Sequence, residues 1–478
     1  MSNTTSPSAN AKFGQLAPTW IDANVPDGYC VAAVGDIIIT QPIFEQMKRS
    51  SPALLARLAK ADLVVGNFEG TALDLNRFDG YPEAESGFGW LISPPEVAAD
   101  LRAIGFDMMA RANNHATDWG VPGMRMTDEL LTVAGMACAG TGSSLSAARA
   151  PAFVNGAKAR AALVSWTTTF ERNTPAIDAQ GAIRARPGAS TLASTPIAMV
   201  TPTQWQALKD IRDAQPEAAK PKVLIDFDTR NHMCTLFGQH YMPQPKGTAD
   251  ASVRIHYKLD AKDQQGILLN VRQAKQTSDF TVAASHTHEP DNWTTEPPNF
   301  MPSLAHDAID NGADIVCGHG PHQLRGIEVY NGKPILYSLG NFCFMDNAQP
   351  IVTRDEWERR IWPMLPDAPQ LDPERMTPAE FLEWTRVAGV FAEHIWFESV
   401  VAFSTYGASG RVKSIALIPI ELNWQGRDCE RGVPRLATAE QGAQIMLRLQ
   451  KLCAPFGTVV TINEADGSGV IDCEHGNT

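Results

Sequence analysis

With 478 residues, of which 44% are hydrophobic and 19% charged, the chain can bury at least one large core, and its length fits about two to three domain-sized units. A formal net charge of −13 and a pI near 5.3 argue against a nucleic-acid or anionic-membrane surface, because both need a clustered positive face. No apolar run approaches the length of a membrane span, so the expected partner is a peptide or a carboxylate-bearing small molecule.

Residues 1–28 form a polar leader rich in Ser, Thr and Asn, without an apolar core of signal-peptide length. The eight cysteines are scattered and include no CxxC pair, the usage of reduced thiols in a cytoplasmic protein. Residues 30–34 then read as a buried strand that stops at Gly35-Asp36. A helix over 54–61 leads to a strand at 63–65 and the loop Gly66-Asn67-Phe68-Glu69-Gly70, in which Asn67 and Glu69 share a side if the backbone is extended. The stretch 73–91 mixes acids with aromatic residues and glycines, as loops that cover a site often do.

A helix over 95–104 and a strand over 106–110 follow, and the strand runs into Arg111-Ala112-Asn113-Asn114-His115. A helix at 127–134, a strand at 135–139 and a hairpin across Asn155-Gly156 continue a strand-helix alternation that predicts a layered, mostly parallel α/β core. From 167 to 260 the pattern dissolves into a variable insertion with one clear helix, 203–214. Its Arg184 and Arg186, with Arg111, could hold a carboxylate through bidentate pairing.

After a helix over 261–275, the strand 280–285 ends in His286-Thr287-His288, and a helix over 303–311 returns the chain to a dense stretch, GADIVCGHGPHQLRGIEVYNGKPILYSLGNFCF. There a short apolar run ends at once in His319 and His322, on a Gly/Pro-rich loop where no helix can form, and Asn331-Gly332 marks a hairpin behind it. Residues 346–390 read as an insertion or lid, and 391–478 as strands and a helix that complete the core.

Singly, each histidine would read as a surface residue and each acid as a turn residue. Five strand ends carrying such side chains, at the sheet edge where α/β proteins bind ligands, together make a metal site. The expected ligands are Asp36, Glu69, Asn114, His286, His288 and His319. His115, Asp36 and His322 are the expected catalytic residues, with Asn67, Arg111, Arg184 and Arg186 binding substrate. Carboxylate, amide and imidazole donors without thiolates suit two divalent ions of the Mn, Zn or Fe kind.

The runs VGDIIIT, VVGNFEG, ARANNHATDWG and GHGPHQLRGIEVYNGKPILYSLGNFCF resemble, in order over residues 29–345, the motifs of the CapA (poly-γ-glutamate capsule synthesis) family. The resemblance implies a fold related to the calcineurin-like metallophosphoesterases: a four-layer α-β-β-α sandwich, here with inserted loops and a β-rich C-terminal extension. It also implies that Asp36, Glu69, Asn114, His286 or His288, and His319 stand at metal positions, with His115 as the catalytic histidine. Asp36 is followed by Ile37-Ile38, where the phosphatases carry an Asp-x-His motif. The expected activity is therefore metal-dependent chemistry on a peptide or γ-glutamyl-type amide, by hydrolysis or by epimerisation next to a carbonyl, as in a peptide epimerase of one branch of that family. A phosphoesterase and a non-catalytic accessory protein of polymer synthesis are the alternatives.

Overall fold

Alternation along the first strand sets the architecture. In Tyr29–Ile38, Val31 and Ala33 point to one buried face while Ala32 and Val34 point to another, so this strand is covered on both sides. The computed structural model describes residues 22–87, 89–216, 222–245, 252–292, 294–345, 349, 351–361, 375–377, 379–380, 383–384, 393–427 and 429–474. The leader up to residue 21 and most of the 346–390 excursion lie outside the described residues.

Two sheets face each other across a shared core. In the first, Tyr29–Ile38 lies between Leu63–Phe68 and Glu398–Tyr406, and the order continues through Met108–Ala110 to Ala137–Ala139 on one flank and through Val412–Glu421 to Gly469–Asp472 on the other. The second runs Ile327–Tyr330, Lys333–Leu336, Ile315–His319, Phe280–His286, Arg160–Thr167, Ala152–Asn155. Val31, Val65 and Leu417 of the first sheet meet Leu163, Val282 and Ile315 of the second in one apolar cluster. Leu54, Leu58, Val97, Leu101 and Leu131 cover the outer face of the first sheet, while Ile267, Val271, Leu304 and Ala308 cover that of the second. The result is the four-layer α-β-β-α sandwich, with Glu398–Tyr406 and Val412–Glu421 as its C-terminal β-rich part. The helix Ala439–Cys453 adds Ile445, Met446 and Leu449 to the core between the sheets.

At Asn331-Gly332 both residues have positive φ, 51° and 73°, as a two-residue turn matched to strand twist requires. The described residues of 167–260 are far more regular than their composition suggests. Ser194–Val200, Cys234–Leu236, Gln239–Pro243 and Arg254–Leu259 form a four-stranded sheet of their own. The helix Pro202–Asp213 starts on a Thr201/Gln204 capping box, and the buried Asp228 accepts from Thr235 and Arg212. This unit rises from the edge that carries the candidate site, for the Leu192 amide donates to the carbonyl of Thr167 at the end of a central strand.

At the opposite end of the second sheet, Asp314 accepts from both Lys275 (2.9 Å) and Lys333 (3.0 Å), and all three side chains are buried. Removing the charge of the shared partner leaves two buried ammonium groups uncompensated. Asp314→Asn is expected to destabilise the protein by about 3–5 kcal/mol, measured by urea unfolding; a loss below about 1 kcal/mol would mean that the triad contributes no more than a surface pair.

Candidate metal centre

The first candidate ligand depends on a bulge. Between Ala33 and Asp36 the register against Leu63–Phe68 shifts, and Gly35 lies so close to the Gly340 carbonyl that a Cβ there would stand 1.9 Å from its oxygen. Without the shift Asp36 would continue the row of Ala32 and Val34 and face the helix layer; with it, Ile37 takes that row and Asp36 turns in between the sheets. The other strands need no such device. Leu63 and Val65 point inward, so Asn67 and then Glu69 do too; Val282 and Ala284 bring in His286, and Ile315 and Cys317 bring in His319. His286 and His319 are register partners on adjacent parallel strands.

Among the described residues two overlapping donor groups result, Glu69/His286/His288 and Asp36/Glu69/His322, each with its ligand atoms within 4.8 Å of one another. Glu69 Oε1 is 3.6 Å from His286 Nε2, 3.9 Å from His288 Nε2 and 3.7 Å from His322 Nε2. His286 Nε2 is 2.8 Å from both Asn114 Oδ1 and His288 Nε2, and Asn67 Nδ2 bridges Asp36 Oδ1 and His286 Nδ1. His319 stands just outside both groups: Nε2 is 3.2 Å from the Val34 carbonyl, and Nδ1 is buried with no hydrogen-bond partner among the described residues. His322, expected as a catalytic residue, lies 3.5 Å from Asp36 and falls within the Asp36/Glu69/His322 donor group. Its backbone is held at φ 55° by Asn341, which meets both its Nδ1 and its carbonyl. Such strain persists only where the surroundings over-determine it.

Burial alone would raise the Asp36 carboxyl, but the adjoining His322, then His319 and His286, outweigh it and hold the group well below the usual carboxylate range. Burial pulls His286 down to about 3, against the attraction of Asp36, and lowers His288 and His319 as well. An ionised Asp36 beside neutral His286, His288 and His319 is the protonation pattern that a divalent ion needs. This donor chemistry, with the unpartnered nitrogen of His319, fits a metal centre of mixed oxygen and nitrogen character.

Beside the ligands lies a second device. His115 Nδ1 is 2.6 Å from Asp118 Oδ2, and among the described residues its Nε2 has no hydrogen-bond partner. Asp118 also accepts from the Gly87 and Leu91 amides, and Gly87 O accepts from Asn114 Nδ2, which leaves Asn114 Oδ1 turned to His286. One aspartate thus pins the described residues of the 83–91 stretch and orients the imidazole. Asp118 and Asn341 carry no signal in the strand-end pattern, although Asp118 is three residues beyond His115.

The three arginines expected as a carboxylate clamp stand in different surroundings. Arg111 is buried and gives its guanidinium to the Phe68 and Gly70 carbonyls, on either side of Glu69, and to Asp128. Arg184 and Arg186 sit exposed in the turn 177–186, where Arg186 Nε donates to Pro175 O. Asn67, expected at the substrate, is buried beneath the ligands and is itself held by Asn113.

A family model, "Bacterial capsule synthesis protein PGA_cap", matches residues 30–346, the span that supplies every candidate ligand. The chain belongs to this family. Within it, the chain is 39% identical over 449 residues to "Uncharacterized protein y4sH" of Sinorhizobium fredii, covering 93% of each. It is 25% identical over 343 residues to "Capsule biosynthesis protein CapA" of Bacillus anthracis, covering 69% of this chain and 65% of that one. A crystal structure described as a novel phosphatase of Mycoplasma pneumoniae aligns over 83% of this chain and 94% of its own at 11% identity and a TM-score of 0.35, a likeness that bears on neither activity nor substrate. Among the described residues of this PGA_cap protein, no helix is long and apolar enough to cross a membrane, and all eight cysteines are free.

Proposed function

We propose that this PGA_cap protein is a metal-dependent hydrolase of a peptide or γ-glutamyl-type amide, holding two divalent ions of the Mn, Zn or Fe kind. The reading is carried by the His115–Asp118 pair at the rim of a buried carboxylate-imidazole cluster. Asp36, Glu69, His286, His288 and His322 would hold the ions, with Asn114 and His319 at their edge. Bound there, the ions would polarise a carbonyl and make a water acidic enough to attack it. With Nδ1 committed to Asp118, Nε2 of His115 is the atom that accepts the water's proton and returns it to the departing amide nitrogen. An amide needs that return because its nitrogen leaves poorly as an anion. The pinned 83–91 stretch keeps bulk water from the dyad. A phosphoester reading is less well supported: of the buried arginines near the motifs, Arg325 is turned onto backbone carbonyls and Arg111 gives Nη1 to two carbonyls and Nε to Asp128, and the first-motif histidine of the phosphatases is replaced by Ile38. A cytoplasmic location accords with eight unpaired thiols.

Metal analysis of the purified protein, paired with assays on γ-glutamyl amides and on p-nitrophenyl phosphates, tests this. The expected result is about two transition-metal equivalents with amide cleavage far above phosphoester cleavage. A protein that neither contains nor takes up Mn, Zn or Fe would leave the accessory role standing. Vigorous phosphodiester hydrolysis that disappears in His286→Ala would make it a phosphoesterase.

A further inference from the structure

We propose that Arg325 is the positioning residue that sets His288 among the ligands, so that one of the two ion positions depends on it and the other does not; this rests on the metal-dependent reading above. Arg325 is 1% exposed. Its Nη2 donates to the Glu289 carbonyl at 2.8 Å and lies 3.5 Å from that of His288, Nη1 is 3.4 Å from that of Thr287, and Nε is 3.4 Å from that of Thr294. The planar guanidinium thus spans the carbonyls around one ligand, which a single ammonium could not do. Arg325 is itself anchored by its amide to Ser338 O. It therefore ties the loop after Phe280–His286 to the loop after Ile315–His319.

The two histidines of this loop differ in what fixes them. His286 is still in the strand, in register with Thr167 on one side and His319 on the other. His288 is beyond the strand end and its side chain is 16% exposed, so loop contacts place its backbone, and its ring then meets His286 Nε2 at 2.8 Å. On the side away from Arg325 those contacts are Thr169, whose Oγ1 accepts from the His288 amide and donates to Glu289, and Thr168, which donates to the same carboxylate. His288 contributes to the Glu69/His286/His288 group and is absent from Asp36/Glu69/His322. Among the described residues the Arg325 guanidinium meets only residues 287–294, whereas His322, on the same loop as Arg325, is held by Asn341; loss of the guanidinium therefore reaches the first group and leaves the contacts of His322 in place.

Titration of metal-free full-length protein with Co2+, read by visible absorption and calorimetry, separates the two positions. In Arg325→Gln one equivalent should bind about 10–100-fold more weakly, the usual cost of losing an outer partner of a ligand, while the other keeps its affinity and its spectrum. Arg325→Lys should fall between wild type and Arg325→Gln. Thermal midpoints of the metal-free forms report folding, and Thr169→Val, which loosens the same loop from its other side, gives the same test if Arg325→Gln does not fold. Equal weakening of both equivalents, or of neither, would overturn the assignment. Failure of the wild type to take up Co2+ would instead overturn the metal-dependent reading itself.

Discussion

Glu69→Gln is expected to empty the site. Glu69 is the one carboxylate common to both donor groups, and its Oε1 lies within 4 Å of three imidazoles from two different strand ends. Glutamine keeps the shape but presents a neutral amide, so both ion positions lose charge and a donor oxygen together. Metal affinity should fall at least ~100-fold, since even an outer-shell change costs 10–100-fold, and elemental analysis after dialysis should find little metal. The metal-free variant should melt no lower than metal-free wild type, because the substitution removes one of two neighbouring buried carboxylates, Asp36 and Glu69. A fully loaded Glu69→Gln protein would show that the ions sit elsewhere.

His115→Gln should have the opposite signature. Glutamine can still meet Asp118, but it cannot exchange a proton, so kcat on the amide substrate should drop by about 10²–10⁴-fold while metal content stays near wild type. Asp118→Asn should lower kcat in the same sense and also loosen the covering stretch, because the amide would now face the Gly87 and Leu91 amides with one acceptor oxygen in place of two. Loss of metal in His115→Gln would move this residue from proton transfer to the ligand set.

The strand ends were legible because each is an apolar run cut off by a polar side chain, and in parallel sheets such ends gather at one edge. Parity then carried Asn67, Glu69, His286 and His319 inward without further instruction. Asp36 is different: its inward turn depends on a bulge at Gly35 against Gly340, a contact between residues more than 300 positions apart that no local pattern contains. Arginine surroundings are not legible for a related reason. A guanidinium in a loop reads equally as a ligand clamp or a backbone staple, and only the folded positions of the Phe68 and Gly70 carbonyls decide for Arg111. The 167–260 region hid its four-stranded sheet because strands such as Cys234–Leu236 are too short to display a period and Pro196 interrupts another. His322 in its left-handed conformation is likewise a product of Asn341, which arrives from a later strand.

The pairing of Tyr29–Ile38 with Glu398–Tyr406, which joins Tyr29 to Tyr406 and Ala33 to Ala402, has a consequence for synthesis. The strand that bears Asp36 is among the first made, yet one flank of its lower half is filled by a segment made about 370 residues later. Until that segment leaves the ribosome, the apolar edge is open to any other extended chain, the situation that favours aggregation and the help of a chaperone. Closure over so long a separation also makes folding slow. A fragment ending at residue 346, where the family match stops, would carry every candidate ligand and still keep that edge unpaired.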